Sequence, residues 1–217
     1  MPADANPLNY RSFRPVPGWS ILLFLALLLP LAFLVLKVWP QRTMLSVLGV
    51  FFGSGLGAAV LAVAPMGRAA IPALGIRPAG WRYALFGALG TLAVSIAVSQ
   101  LGIEPEGVKQ AMEIATDPAQ FVASLLLLAG LAPLVEELVF RGLLYGWLEG
   151  RWGPRVAFIV SSLAFAAAHV EPAHIVLVLP LGVLFGWLRQ RSNSLLPSLA
   201  AHVVNNGFAL STAYLGV

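Results

Sequence analysis

Cysteine is absent from the 217 residues. That excludes disulfide bonds, thiolate catalysis, cysteine-ligated zinc and S-palmitoylation. Charge is scarce: Asp, Glu, Lys and Arg together make up 10% of the chain, against about 25% in an ordinary soluble domain. A soluble protein of this length could bury a core, but it could not solvate a surface so poor in charge. Aspartate occurs only at Asp4 and Asp117, neither deep in an apolar run, so chemistry that needs two intramembrane aspartates is ruled out. No basic run interleaved with aromatics occurs, and the net charge of +4 therefore does not point to nucleic acid.

What the chain does contain is apolar, at 59% of its residues. Apolar segments near Trp19–Val38, Met44–Pro65, Tyr83–Leu101, Ala119–Leu144, Val156–Val170, Ile175–Leu188 and Leu195–Leu215 read as helices. The first four approach or exceed the ~20 residues that span a bilayer, while the fifth and sixth are short and Pro180 interrupts the sixth. The expected fold class is all-α, a polytopic transmembrane bundle of about seven helices. Met1–Pro17 is polar, with Arg11 and Arg14 ahead of the first apolar run. The run Ile21–Leu36 is too long for the apolar core of a signal peptide and reads as a retained first helix. Residues 1–18 are thus a cytoplasmic segment and residues 19–217 a single transmembrane domain, its catalytic core at 119–215.

Basic residues orient the bundle. Arg11, Arg14, Arg68, Arg77, Arg82, Arg151, Arg155, Arg189 and Arg191 fall to one side, and only Lys37, Arg42 and Lys109 to the other. The positive-inside rule puts the N-terminus in the cytoplasm and, with seven spans, the C-terminus outside. Trp19, Trp39, Trp81, Trp147, Trp152 and Trp187 fall mostly at segment ends, as interfacial anchors do. Gly53, Gly55 and Gly57 are not a nucleotide loop, because no strand precedes them; the Gly53 to Gly57 spacing reads as a helix-packing GxxxG.

Against this background, Glu136 and Glu137 stand out. A carboxylate at the centre of a membrane helix costs about 2.5–3.5 kcal/mol on translocon scales, and such residues are usually functional. Glu137 and Arg141 are at i,i+4 on one face, where they neutralise each other, whereas Glu136 points about 100° away and shares its face with Phe140. The expected division is Glu137–Arg141 as a structural pair and Glu136 as the free carboxylate, with Pro133 bending the helix just before it. Downstream, Phe165 and His169, then His202 and Asn206, also share helix faces at i,i+4. Measured from the nearest basic connection, Glu136, His169 and His202 lie about 22, 21 and 17 Å deep. Three helices therefore bring ionisable groups to a similar level.

Glu136-Glu137-Leu-Val-Phe-Arg141 (EExxxR), Phe165-Ala-Ala-Ala-His169 (FxxxH) and His202-Val-Val-Asn-Asn206 (HxxxN) together resemble the CPBP family of intramembrane glutamic endopeptidases, the Rce1-like type II CAAX prenyl proteases and bacteriocin-processing proteases. The resemblance covers roughly Leu125–Leu215. It implies an Rce1-like core in which Glu136 is the general base that activates water and His169 positions that water or shares its proton. His202 and Asn206 would donate hydrogen bonds to the oxyanion, with Glu137, Arg141 and Phe165 supporting the site. No cofactor is expected. A Glu/His/His metal site is the disfavoured option.

Other hydrolytic motifs fail on spacing. His169-Val-Glu171-Pro-Ala-His174 places its histidines five apart across Pro172, unlike the zinc motif HExxH, and Phe52-Gly53-Ser54-Gly55 lacks the first glycine of GxSG. The expected substrate is a membrane-associated protein or peptide: a lipidated C-terminus, a leader or a C-terminal anchor. The expected location is a prokaryotic inner membrane. A proton-coupled transporter using the same Glu and His groups, and a non-catalytic scaffold or immunity protein, stand as alternatives. The resemblance implies a cavity open to the cytosol, yet His169 lies two residues before Glu171, on the side that charge assigns to the exterior.

Overall fold

Long apolar runs leave the backbone no hydrogen-bonding partner in lipid other than itself, so they coil. The computed structural model describes residues 15–38, 43–113 and 117–216, and within them the long elements are helices. These are α1 (Gly18–Val38), α2 (Met44–Val63), α3 (Trp81–Ser99), α4 (Glu106–Glu113), α5 (Pro118–Trp152), α6 (Pro154–Ala167), α7 (Pro172–Ser192) and α8 (Leu196–Leu215). Seven match the expected segments. The eighth, α4, is an amphipathic helix in the connection between α3 and α5. Arg11, Arg14, Trp39 and Arg42, used above for orientation and anchoring, lie outside the described residues.

Five helical stretches are long and apolar enough to cross a membrane: α1, Met44–Ala73 (which contains α2), α3, α5 and α7. The protein is therefore a multi-pass integral membrane protein. The sixth expected segment, Ile175–Leu188, is not short: α7 runs unbroken through Pro180 for 21 residues. The fifth is shorter than expected. α6 ends at Ala167, and His169 lies in the following turn, not on the helix. Pro172 is the cause. It has no N–H to continue the ladder, and it holds Glu171 extended at φ −68°, ψ 120°. The chain turns through Val170 at φ 62°, a left-handed conformation that a β-branched residue rarely adopts.

Small residues set the helix spacing. α2 buries Ser54, Gly55, Ala58, Ala59 and Ala62 against α1 and α5. A Cβ at Gly55 would lie 2.9 Å from Val135 Cγ1, so the close approach to α5 rests on Gly55. At Gly53 a Cβ would meet nothing, and at Gly57 only Leu31 at 4.0 Å. The packing glycine is the middle one of the three, not the GxxxG pair. α3 meets α7 and α8 at Gly87, where a Cβ would lie 2.8 Å from Leu188 and 3.2 Å from Ala201.

α5 is the axis of the bundle. Asp117 caps its start, accepting from the Ala119 and Gln120 N–H groups at 2.8 and 3.0 Å, with Pro118 at the first helical position. Its 35 residues would extend about 52 Å if regular, well beyond a hydrocarbon slab of about 30 Å. Two π-helical turns, Leu125–Leu131 and Leu138–Leu144, flank the central turn Ala132–Glu137 that carries both glutamates.

Candidate active site

The first π turn explains one of the polar contacts. The Ala132 N–H bonds to the Leu127 carbonyl, five residues back. The same register would pair the Leu128 carbonyl with residue 133, which is a proline and has no N–H. The orphaned carbonyl is met from another helix: Asn206 Nδ2 on α8 donates to Leu128 O at 2.9 Å. Asn206 Oδ1 in turn accepts from Asn205 Nδ2 at 3.2 Å. Asn205 Oδ1 accepts from Thr91 Oγ1 at 3.3 Å and from Ser95 Oγ, both on α3. A polar chain thus ties α3, α8 and the π turn of α5, and it fixes which way the Asn206 amide faces.

Glu137 and Arg141 form the expected pair, with Oε1 and NH1 3.2 Å apart and both side chains fully buried. Arg141 also donates through NH2 to the Gly182 carbonyl of α7 at 2.8 Å. Its guanidinium lies 4.3 Å above the Phe165 ring centroid and 5.6 Å from that of Phe185. A buried cation therefore meets a carboxylate, a carbonyl and an aromatic face, the partners that offset its desolvation. Phe165 is more than packing. It has the Arg141 cation on one face, and its ring centroid lies 5.5 Å from Phe140, 5.1 Å from His169 and 5.6 Å from His202.

His202 is where the two glutamates meet. Its Nδ1 lies 3.2 Å from Glu137 Oε1 and its Nε2 3.7 Å from Glu136 Oε2. The ring is stacked on Phe185 at 4.7 Å and is buried. A carboxylate oxygen already serving Arg141 can only accept, so Nδ1 carries a proton and Nε2 faces Glu136. The two carboxylates differ in environment: the Glu137 side chain is 0% exposed and that of Glu136 21% exposed. Glu136 makes no hydrogen bond among the described residues and stands open, 3.7 Å from a potential donor.

The expected site residues are thus unequally assembled. Glu136, Glu137, Arg141 and His202 form one continuous chain of contacts, with Phe165 beneath it. Asn206 is beside them on α8, one turn beyond His202, with one amide N–H already committed to Leu128. His169 is connected through Phe165 and not by a direct bond. Its Nδ1 lies 2.9 Å from the Phe165 carbonyl, and its ring edge meets His174 at 4.6 Å. Among the described residues no group of three or more His, Asp and Glu side chains is arranged to hold a metal ion. Sequence reasoning missed Thr91, Ser95, Gly182 and Phe185. Proline five residues after Leu128 was the one local signal for the Asn206 contact.

Comparison with known proteins adds an independent observation. Residues 118–208 match a family model described as "Type II CAAX prenyl endopeptidase Rce1-like". That range runs from the first residue of α5 into α8 and contains Glu136, Glu137, Arg141, Phe165, His169, His202 and Asn206. The chain is also similar to a Bacillus subtilis (strain 168) protein described as "Putative membrane peptidase YdiL". The two are 23% identical over 210 residues, covering 96% of this chain and 75% of that protein. No solved structure matches significantly.

Proposed function

We propose that the chain is a membrane protease of the Rce1-like family, whose model matches residues 118–208, and that it is a glutamate-dependent endopeptidase that cleaves membrane-associated protein or peptide substrates. The observation that carries the proposal is the His202 ring between two carboxylates, one closed by Arg141 and one open to the site. In the proposed mechanism Glu136 takes a proton from water, and the oxygen bonds to the scissile carbonyl carbon. The His202 imidazolium, its Nδ1–H held by Glu137, donates from Nε2–H to the oxyanion together with the second N–H of the Asn206 amide, and buried donors aimed at developing charge are worth most in low dielectric. Collapse breaks the C–N bond, and Glu136 returns its proton to the departing amine.

Glu137 has the supporting role here, holding the His202 Nδ1–H so that the other nitrogen faces the reacting atoms. His169, with Nδ1 occupied by the Phe165 carbonyl of α6, offers Nε2 to position the water or share its proton. The chemistry is proposed to proceed on these side chains without a cofactor. A lipidated C-terminus, a leader peptide or a C-terminal anchor are the substrates considered. The asymmetry of arginines supports a cytoplasmic N-terminus, and composition supports a prokaryotic inner membrane.

Terminal-peptide profiling of membranes with and without the protein is the test. New peptide termini are expected with the wild-type chain and with none of Glu136→Gln, Glu136→Ala and His202→Ala, while the variants remain in the membrane. Undiminished cleavage by Glu136→Gln would remove the base from the mechanism. Solute flux without new termini would point instead to transport.

A further inference from the structure

A second built feature lies outside the cluster, on the lipid-facing side of the α3–α7 contact. Arg82, Tyr83 and Phe86 from the first turns of α3, with Trp187 and Arg191 from the last turns of α7, line a cleft of about 440 Å³. The helices run in opposite directions here, so Arg82 and Arg191 sit at the same end. Phe86 and Trp187 each lie four residues along their helix, one turn, or about 6 Å, deeper toward the bundle centre. Both aromatics are exposed, as are Leu85, Leu89 and Val183 on the same two helices.

The order of groups is cation above, aromatic below, apolar helix surface beyond. Neither Arg82 nor Arg191 enters an ion pair among the described residues; Arg82 only lies over the Trp81 ring at 5.8 Å. At this end of the bundle Arg68, Arg77, Arg151, Arg155 and Arg189 add further positive charge. The one acidic side chain described there, Glu149, is 3.9 Å from Arg189. An acidic peptide would satisfy the arginines but leave the aromatic floor against lipid. An anion that carries its own hydrocarbon satisfies both.

We propose that the Arg82–Arg191 cleft is a binding site for an anionic glycerophospholipid. Its phosphate lies between the two guanidiniums, and its upper acyl chain lies against Phe86 and Trp187. Paired arginines suit a phosphate, and basic pockets between helices at the cytoplasmic face bind anionic headgroups. The occupant would brace α3 against α7, the helix that supplies the Gly182 carbonyl to Arg141 and the Phe185 ring to His202.

The full-length protein in phosphatidylcholine bilayers, titrated with acyl-brominated phosphatidylglycerol or acyl-brominated phosphatidylcholine, tests this through tryptophan quenching, without recourse to peptidase activity. The anionic lipid is expected to quench the component lost in Trp187→Phe at a mole fraction about 30-fold lower, roughly fivefold per arginine. R82K/R191K keeps that preference, R82Q/R191Q abolishes it, and raised salt narrows it. Equal quenching by both lipids overturns the proposal, as does a preference that survives R82Q/R191Q. Should that variant fail to fold, a wild-type preference indifferent to salt overturns it as well. Displacement of the lipid by millimolar inorganic phosphate would reduce the cleft to a simple anion site and also defeat the proposal.

Discussion

Removing Glu137 and Arg141 together should harm folding less than removing either alone. Glu137→Leu leaves a fully buried guanidinium with only the Gly182 carbonyl and two aromatic faces; its Nε makes no hydrogen bond among the described residues. Breaking one partner of a buried pair costs about 3–5 kcal/mol, and this variant belongs at the upper end. Arg141→Met leaves Glu137 with His202 Nδ1 still at 3.2 Å, a partner that shares the charge, so its cost falls near the lower end. The double variant Glu137→Leu/Arg141→Met buries no unpaired charge. Its cost should be well below the sum, with a coupling of about 3 kcal/mol or more. Equilibrium unfolding in micelles measures all three. Cleavage behaves differently: His202 loses the acceptor that orients it, so the double variant should fold yet lose activity by about 10²-fold or more. Additive destabilisation, or a double variant with wild-type turnover, would refute the reasoning.

Other sites yield shorter predictions. Asn206→Ala should cost about 1–3 kcal/mol by orphaning the Leu128 carbonyl, and adding Pro133→Ala, which restores an N–H five residues on, should recover part of the loss in unfolding midpoint. An equal effect of Pro133→Ala in both backgrounds would mean that the carbonyl is not the reason. Gly55→Val should destabilise by about 1–3 kcal/mol through its clash with Val135. Val135→Ala should relieve that clash, and Gly53→Ala should leave the unfolding curve unchanged. Pro172→Ala should let α6 propagate through Val170, so that the His169 backbone N–H takes the Phe165 carbonyl now held by its Nδ1, lowering cleavage with little change in stability; unchanged cleavage would exclude that anchoring of His169 from the mechanism.

The helices and the Glu137–Arg141 pair were legible because a run of twenty apolar residues and an i,i+4 spacing each determine geometry within one segment. What lies between segments was not. Nothing in EExxxR says that His202 enters from the side and meets both glutamates, because the azimuth of α8 depends on Gly87, Ala201 and Leu188 packing against one another. The glycine triplet shows the same limit: its spacing fits several faces, and only Val135 on α5 selects Gly55. His169 is a different case. Pro172 stood in view, and its bar on the preceding helix was enough to place His169 in a turn. Asn206 was expected as an oxyanion donor. The missing N–H of Pro133 committed half of its amide to Leu128, an effect visible only once the ladder is known to shift to π register.

The adjacency of the two glutamates has a geometric reason that helical spacing alone obscures. Side chains four apart stack on one face and would both reach the same edge of an approaching ring. Neighbours diverge by about 100°, so they flank it. The imidazole carries its nitrogens on different edges, and His202 arriving between the carboxylates presents Nδ1 to one and Nε2 to the other. Burial then separates the two acids by task. Arg141, four residues beyond Glu137, closes the carboxylate on its own face, which leaves Glu136 open. In the proposed mechanism that asymmetry makes one acid a fixed anchor and the other a base. Exchanging the anchor for its amide, Glu137→Gln, should therefore be less damaging to cleavage than Glu136→Gln, because a carbonyl oxygen can still accept from Nδ1 whereas an amide cannot take a proton from water. Parallel measurement of cleavage by the two variants decides it, and the reverse order would exchange their roles.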